Sequence, residues 1–297
     1  MNSRKGDIEA VGQAGWGNNN SNYYDMTGKK YLVVVDQHTF ESPKHSQHRE
    51  QLTTRHGTEH DVDRLKRVFN ALGFLLFVLR DNKYQDIIHY LTAIASLPHI
   101  DTSCICIAIL THGQVGGTLC AADRPYPLKS VMDIFETRNL VNKPKVFIVQ
   151  ACRGHKVDRG HRVTTDGPDS ALTSLLNSLA KAGNLICCQF KACGGVITYP
   201  DNSDSFLNKQ RGSAHHVPSY ADTFIVYAAV EGFVSYRFHT EGTLMVQALC
   251  DSIEQNRKVM HLEEIFIIMK RLVAEETSMS RKQMPVTTTT TTKFLKL

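Results

Sequence analysis

The 297-residue sequence predicts an α/β fold, in which a mostly parallel central sheet of about six strands is flanked by helices on both faces. Two patterns support this prediction. The apolar runs that resemble strands are continuous, which is typical of strands that are buried on both faces. Between these runs, apolar residues recur at helical spacing, so strands and helices alternate along the chain.

The individual elements are predicted in order from residue 31. Strands are predicted at residues 31–35, 74–79, 104–110, 145–149, 223–227 and 234–238. Helices are predicted at residues 62–72, 87–95, 128–135, 244–253 and 262–273, the first with Thr58 as its N-cap and Gly73 at its end. The Thr-rich residues 286–292 are either a low-complexity tail or, because Thr favours extended structure, a closing strand.

Composition and charge exclude several classes of protein. With 42% hydrophobic and 21% charged residues, the chain resembles folded soluble proteins and not disordered or collagen-like ones. Its net charge of +5 is spread along the sequence, so nucleic-acid binding is not expected. The longest apolar run, residues 104–110, is far shorter than the ~20 residues that span a membrane. Residues 1–20 carry no secretory signal, and we therefore expect a cytoplasmic protein that does not enter a membrane.

The eight cysteines are expected to be reduced thiols, since no secretory signal precedes them. Cys104, Cys106 and Cys250 lie in apolar periodic segments and are predicted to be inert core residues. The chain has no zinc-finger spacing, and neither a metal nor another cofactor is expected. Cys152 is the cysteine whose sequence context indicates chemistry.

Two stretches depart from the alternation of strands and helices. Residues 1–22 are rich in Gly, Asn and charge and are predicted to be a disordered leader. Residues 155–220 are rich in Gly, Pro, Asp, Asn and Ser, and a stretch of that length without regular structure is usually functional or disordered. Within it, residues 171–186 are compatible with a local helix.

Two chemically reactive side chains follow strands of the predicted sheet. His112 and Gly113 come after the strand at residues 104–110, and Cys152 comes after the strand at residues 145–149. The carboxyl ends of parallel strands meet at one edge of a sheet, where α/β proteins form their sites. An imidazole there can accept the thiol proton and produce a nucleophilic thiolate. The N–H groups of Gly113 and Cys152 are a reasonable oxyanion hole, because Gly113 has no Cβ to obstruct a substrate.

The residues around Cys152 resemble the nucleophile signature of the caspases. The motif is the pentapeptide Gln150-Ala151-Cys152-Arg153-Gly154. Four further segments resemble the family: the Arg-containing loop at residues 54–58, the strand at 143–149, the substrate strand at 234–237 and the approach to the last strand at 282–285. The resemblance extends from about residue 24 to residue 297, apart from residues 155–215.

The resemblance implies a cysteine endopeptidase that cleaves protein substrates after Asp. In this interpretation Cys152 is the nucleophile and His112 is the general base. No separate carboxylate is evident that would orient His112. We therefore expect a catalytic dyad in which a backbone carbonyl near Thr53 orients the imidazole.

The resemblance also implies a pocket for the Asp side chain of the substrate. A buried carboxylate must be paired, and the family pattern places guanidinium groups at Arg55 and Arg237, with Gln150 as an amide donor. Ser235 and Tyr236 lie on the segment that would pair with the substrate as an added β-strand.

The family pattern further implies a zymogen with four regions. These are a leader (1–22), a large catalytic subunit region (23–158), a cleavable linker (159–216) and a small subunit region (217–297). Two Asp-x-x-Asp-Ser stretches in the linker predict cleavage after Asp169 and Asp204. The processed enzyme is expected to be a homodimer that forms through the last strand. Its expected partners are proteins with exposed Asp-containing loops, an upstream caspase and inhibitor proteins, and its expected setting is apoptosis.

Two other functions remain open at this stage. The chain could be a catalytically weak caspase homologue that regulates an active caspase by binding it. The Thr-rich end and the long linker favour that hypothesis, whereas the presence of both His112 and Cys152 argues against it. A peptidase with basic specificity, as in the metacaspases, would need acidic residues where this chain has Arg55 and Arg237.

Overall fold

The fold is built on thirteen strands and five helices within the residues that the structure describes. The computed structural model describes residues 22–41, 52–161, 217–276 and 280–297. The strands are β1 (Lys29–Asp36), β2 (Phe74–Arg80), β3 (Thr102–Leu110), β4 (Gly113–Gln114), β5 (Thr118–Cys120), β6 (Pro125–Pro127), β7 (Lys145–Gln150), β8 (Gly154–Lys156), β9 (Thr223–Tyr227), β10 (Gly232–Phe233), β11 (Arg237–Phe238), β12 (Gly242–Thr243) and β13 (Val286–Thr289). The helices are α1 (Thr58–Ala71), α2 (Tyr84–Ala95), α3 (Leu128–Met132), α4 (Leu244–Asn256) and α5 (Leu262–Glu275).

Six of these strands form the central sheet, in the order β13-β9-β7-β3-β1-β2. The pairs from β9 to β2 are parallel, whereas β13 pairs antiparallel with β9. The predicted six-stranded, mostly parallel sheet is therefore confirmed. The Thr-rich tract forms the closing strand that one of its two interpretations predicted, and it lies at the edge of the sheet.

Helices cover both faces of the sheet, because successive strand residues point to opposite sides. Strand β3 is buried along its whole length. Its Cys104 and Cys106 side chains pack into the core that α1, α4 and α5 cover. Its Ile105 and Ile107 side chains pack into the other core, which α2 and α3 cover. The three cysteines predicted to be core residues are all buried.

The start of α1 differs from the prediction. The helix begins at Thr58 itself, and its N-cap is Gly57, whose φ of 89° lies in the left-handed region that favours glycine. The Thr58 hydroxyl donates a hydrogen bond to Oδ1 of Asp36 (2.6 Å) and therefore does not cap the helix. The prediction of Thr58 as the N-cap is wrong, because a contact between distant segments takes its hydroxyl.

The predicted bounds of the strand at residues 234–238 are also wrong. Only Arg237 and Phe238 are in a strand, β11, which pairs with β12. The N–H of Tyr236 donates to Oε1 of Gln283 (2.8 Å), and the N–H of Ser235 donates to Sγ of Cys152 (3.4 Å). Because side chains accept from these two amides, the segment before Arg237 does not pair as a regular strand.

Residues on either side of the predicted linker share the central sheet. Strand β7 precedes the linker and β9 follows it, and the two are parallel neighbours with Val149 opposite Tyr227. Residues 1–21 of the predicted leader, the helix considered at 171–186 and the cleavage sites Asp169 and Asp204 lie outside the described residues. Within the described ranges, no helix is both long and apolar enough to cross a membrane.

Candidate active site

The predicted reactive side chains meet at the carboxyl ends of β3 and β7. These strands are parallel neighbours, and Leu110 at the end of β3 pairs with Gln150 at the end of β7. His112 and Cys152 each follow two residues later, and both line one cavity of about 460 Å³. Among the described residues, no group of three or more His, Cys, Asp or Glu side chains is placed to hold a metal ion. The topology therefore brings a candidate base and a candidate nucleophile into one cavity.

The imidazole of His112 is oriented by a backbone carbonyl. Its Nε2 lies 2.8 Å from the carbonyl oxygen of Thr53. Because a carbonyl oxygen only accepts, Nε2 carries the proton, and the neutral ring keeps its lone pair on Nδ1. The Phe40 ring packs against the imidazole, with the ring centroids 5.0 Å apart. Thr53 thus supplies the carbonyl that the sequence suggested, and Nδ1 is the nitrogen that can accept a proton.

The electrostatic surroundings of His112 predict the pH dependence of catalysis. Burial lowers the pKa of His112 from its usual value of about 6.5, and the positive charges of Arg55 and Arg237 also lower it. A general base acts only when it is neutral, so the lower pKa keeps the base active at more acidic pH. We expect kcat/KM for peptide cleavage to begin its acid decline below about pH 6.5. A pH profile at constant ionic strength measures this, and an acid limb above that pH would contradict the assignment.

The sulfur of Cys152 contacts Ser235 and is not bonded to His112. The N–H of Ser235 donates to Sγ (3.4 Å), and the thiol donates to the Ser235 carbonyl oxygen, 3.7 Å away. No hydrogen bond among the described residues joins Sγ to the imidazole. Catalytic hydrogen bonds are often long or misaligned in the absence of substrate. A substrate that paired with the Ser235 backbone would take over these contacts and leave the thiol free to turn to Nδ1 of His112.

Gly113 packs directly against the backbone of Cys152. A Cβ at this position would lie 2.1 Å from the Cys152 carbonyl oxygen, so no larger residue fits without a backbone shift. Gly113 lies opposite Leu119, and the neighbouring N–H of Cys120 donates to the carbonyl of His112 (3.0 Å). Bonded and non-bonded pairs alternate in antiparallel strands. The N–H of Gly113 therefore points away from β5 and can donate to a ligand.

Arg55 is completely buried, with 1% of its surface exposed. Its Nη1 donates to the carbonyl oxygens of Gln37 and Leu110, each 2.9 Å away, and to the Thr58 hydroxyl at 3.0 Å. The only carboxylate within 4.0 Å in the described chain is Asp36, at 3.8 Å. The Nε of Arg55 is buried and has no hydrogen-bond partner among the described residues. This donor of the guanidinium group is therefore unused in the described chain.

Arg237 adds a second positive charge close to Arg55. Its Nε donates to the carbonyl oxygen of His56 (2.8 Å), and no described carboxylate lies within 4.0 Å of it. Burial, and then the charge of Arg237, lower the pKa of Arg55 to about 10, so Arg55 stays protonated at neutral pH. Gln150 contributes an amide, whose Nε2 donates to the Ser235 hydroxyl at 3.2 Å and whose buried Oε1 has no hydrogen-bond partner in the described ranges. The site is thus a Cys–His pair beside two arginines, of which Arg55 has one described carboxylate within 4.0 Å, that of Asp36, and Arg237 has none.

A sequence model of the caspase domain matches residues 29–296, which is nearly the whole chain. The chain belongs to the caspase family. The resemblance stated from the sequence is thereby confirmed. Caspase relatives are Asp-specific cysteine peptidases that act on protein substrates, and the arrangement of His112 and Cys152 fits a family of that kind.

Individual relatives agree with this assignment. Caspase-3 of Xenopus laevis is 29% identical over 251 residues, which cover 83% of this chain and 74% of that protein. Caspase drICE of Drosophila melanogaster is 27% identical over 287 residues, which cover 92% of this chain and 71% of the relative. The crystal structure of caspase-1 from Spodoptera frugiperda matches with a TM-score of 0.71 at 24% identity and 94% coverage of both chains. That structure supports the caspase fold.

Two buried polar residues that support the caspase site were missed by the sequence analysis. Asp36 lies beside the buried Arg55 guanidinium. Gln283 accepts from the N–H of Tyr236 (2.8 Å) and donates to the carbonyl of Ala228 (2.9 Å), which fixes the segment that carries the predicted pocket residues. Asp36 directly follows the strand predicted at residues 31–35 and is the last residue of β1, a position that could have identified it. For Gln283 the sequence offered only its place in a family-like segment.

Proposed function

We propose that this caspase is a cysteine endopeptidase that cleaves proteins on the carboxyl side of Asp. The observation that supports the proposal is the positive charge next to the reactive pair, where Arg237 has no described carboxylate within 4.0 Å and Arg55 has only Asp36, at 3.8 Å. Arg55 donates to the carbonyl of Leu110, two residues before His112. Arg237 lies two residues after Ser235, which contacts Cys152. Both positive charges therefore adjoin the reactive pair, and both lower the pKa of His112. A partly buried charge is stabilised by a paired counter-ion, and an Asp side chain of the substrate would supply the carboxylate that Arg237 lacks within 4.0 Å in the described chain.

The proposed reaction uses the two ring nitrogens of His112 differently. The Cys152 thiol gives its proton to Nδ1, and the thiolate attacks the carbonyl carbon of the substrate Asp. The N–H groups of Gly113 and Cys152 donate to the oxyanion that forms. The imidazolium then protonates the leaving amine as the C–N bond breaks, which leaves a thioester on Cys152. A water molecule, deprotonated by His112, hydrolyses the thioester and restores the thiol.

We propose that the substrate binds as an added strand along residues 235–237. The carbonyl and N–H of Ser235 now contact Cys152, and both are backbone groups that an extended peptide could use. When the peptide pairs with Ser235, the Cys152 sulfur would lose its hydrogen bonds to Ser235 and become free to react with the scissile bond. The aromatic Tyr236 ring lies on the same segment, and its buried hydroxyl has no hydrogen-bond partner in the part of the chain that the structure describes.

The proposal is tested by a peptide assay in which one residue changes. Purified protein is given peptides that are identical except for Asp, Asn or Lys before the scissile bond, with Cys152→Ala protein as the control for contaminating peptidases. We expect cleavage after Asp only. Preferential cleavage after Lys would support the basic specificity of metacaspases. An intact peptide set, together with binding to an active caspase, would support the non-catalytic alternative.

We further propose that the protein is made in the cytoplasm as a zymogen and is cut after Asp169 and Asp204. Both residues lie outside the described part of the chain, and the proposal rests on their Asp-x-x-Asp-Ser contexts. Recombinant protein is expected to yield new N-termini at Ser170 or Ser205, whereas the double Asp169→Ala, Asp204→Ala variant should remain a single chain. Full activity of an intact chain, or cleavage only elsewhere, would contradict this proposal.

The assembly and partners of the enzyme are proposals of the same kind. Strand β13 is an edge strand, and one side of its backbone faces no other strand of the described chain. We propose that two processed large–small pairs form a homodimer by pairing along β13. Exposed Asp-containing loops of other proteins would be the substrates, and an upstream caspase and inhibitor proteins would regulate the enzyme during apoptosis.

A further inference from the structure

The carboxylate of Glu231 connects the two segments that carry the proposed oxyanion hole. Its Oε1 accepts a hydrogen bond from the N–H of Gly116 (2.8 Å). Its Oε2 forms an ion pair with Arg153. Gly116 lies three residues after Gly113, and Arg153 directly follows Cys152. One side chain is therefore bonded to both segments at once.

Arg153, the ion-pair partner of Glu231, is held in place by several contacts. Its N–H donates to the carbonyl of Phe233 (2.9 Å), and its carbonyl accepts from the N–H of Gly232 (2.8 Å). Its guanidinium carbon lies 4.1 Å from the centroid of the Tyr227 ring. Backbone and side-chain contacts hold this residue from several directions, so a group that is bonded to Arg153 is anchored to the rigid sheet.

The loop that contains Gly116 is the less constrained of the two segments that Glu231 connects. Gly116 and Gly117 have φ angles of 77° and 70°, in the left-handed region where glycine is favoured. A Cβ at either position would meet no described atom within 4 Å, so the space on that side of the two glycines is open. The β4–β5 pairing holds the base of this loop, and the hydrogen bond to Glu231 is the contact that connects its tip to Arg153.

We propose that Glu231 is a positioning residue that sets the distance and direction between the N–H groups of Gly113 and Cys152. The inference rests on the proposed peptidase function. Oxyanion donors act only within about 2.7–3.1 Å of the developing charge. Gly113 already touches the Cys152 carbonyl oxygen, so even a small shift of its loop changes where the two N–H groups point. A half-exposed ion pair adds little to folding stability, so the main effect of Glu231 is on catalysis.

The test compares Glu231→Ala, Glu231→Gln and the control Glu275→Ala, which removes an exposed carboxylate at the end of α5. On a peptide amide that ends in Asp, Glu231→Ala should lower kcat by about 10-fold or more with little change in KM, since each oxyanion donor contributes up to about 10²- to 10³-fold. Glu231→Gln keeps an acceptor for Gly116 and should recover part of the loss. Glu275→Ala should behave as the wild type.

Two further readouts separate positioning from a general structural role. Alkylation of Cys152 by iodoacetamide needs no oxyanion hole and should keep its wild-type rate in Glu231→Ala. Binding of a peptide aldehyde that ends in Asp forms a tetrahedral oxyanion and should weaken by the same factor as kcat. The inference is overturned if kcat of Glu231→Ala is normal, or if alkylation and melting temperature fall together with kcat. If the wild-type protein cleaves no peptide, the proposed function is wrong and this inference is wrong with it. If the wild type is active and Glu231→Ala is equally active, only this inference is wrong.

Discussion

Replacing Cys152 with alanine is expected to abolish peptide cleavage and to leave the fold intact. The change removes the proposed nucleophile, and losses for such residues reach about 10⁴-fold or more. The Cys152 side chain is only partly buried, and within the described chain its hydrogen bonds are to Ser235, so the free energy of unfolding should change little. The measurements are kcat/KM on a peptide that ends in Asp and thermal unfolding of both proteins.

Replacement of the proposed general base, His112, can be compared with replacement of a second histidine in the same cavity. His112→Ala should lower kcat/KM by about 10²- to 10⁴-fold, the usual contribution of a general base. His155 lines the same cavity but is not bonded to the Thr53 carbonyl, so His155→Ala should stay near wild-type activity. Substantial turnover by Cys152→Ala, or equal losses in the two histidine variants, would contradict the assignment of the dyad.

Removal of either pocket arginine is expected to eliminate cleavage after Asp. Truncation of one partner of a buried ion pair costs about 3–5 kcal/mol, which corresponds to roughly 10²- to 10⁴-fold in kcat/KM. Arg237→Ala is the cleaner variant, because Arg55 also holds the carbonyls of Gln37 and Leu110. Arg55→Lys keeps the charge but loses the planar fork, and it should show a comparable loss of activity with a smaller loss of stability than Arg55→Ala.

The control for the arginine variants is Arg67→Ala. Arg67 lies on α1, is mostly exposed and pairs with Glu254 at 3.7 Å, away from the pocket residues. Its removal lowers the net charge equally and should leave kcat/KM unchanged. The preference for Asp over Asn in matched peptides should collapse in Arg237→Ala and persist in Arg67→Ala. Normal kinetics in Arg237→Ala would show that the pocket has been placed wrongly.

The fold and the position of the site could be predicted because both depend on local patterns. Continuous apolar runs such as residues 104–110 and 145–149 are buried on both faces in almost any parallel sheet. Once the strands are parallel, their carboxyl ends meet at one edge, so His112 and Cys152 converge whatever the loops do. The sequence did not decide whether the Thr-rich residues 286–292 form a strand, since Thr residues alone do not distinguish a tail from an edge strand.

The features that the sequence predicted wrongly or did not reveal all depend on contacts between segments that are distant in sequence. Thr58 has the chemistry of an N-cap, but its hydroxyl donates to Asp36 on strand β1. Ser235 and Tyr236 have strand-like neighbours, but Cys152 and Gln283 take their amides. Glu231 has no local signature at all, because its role follows from where two loops lie in space. Such pairings need the folded geometry before they can be recognised.

The most direct test of the central claim is covalent labelling of Cys152 through its Asp pocket. The wild-type protein is treated with two peptide fluoromethyl ketones that differ only in ending with Asp or Asn, and the adduct is located and its rate measured by mass spectrometry. We predict one adduct, on Cys152, that forms about 10²-fold faster with the Asp probe and loses this preference in Arg237→Ala. Labelling of another cysteine, equal rates with the two probes, or no labelling at Cys152 would contradict the account.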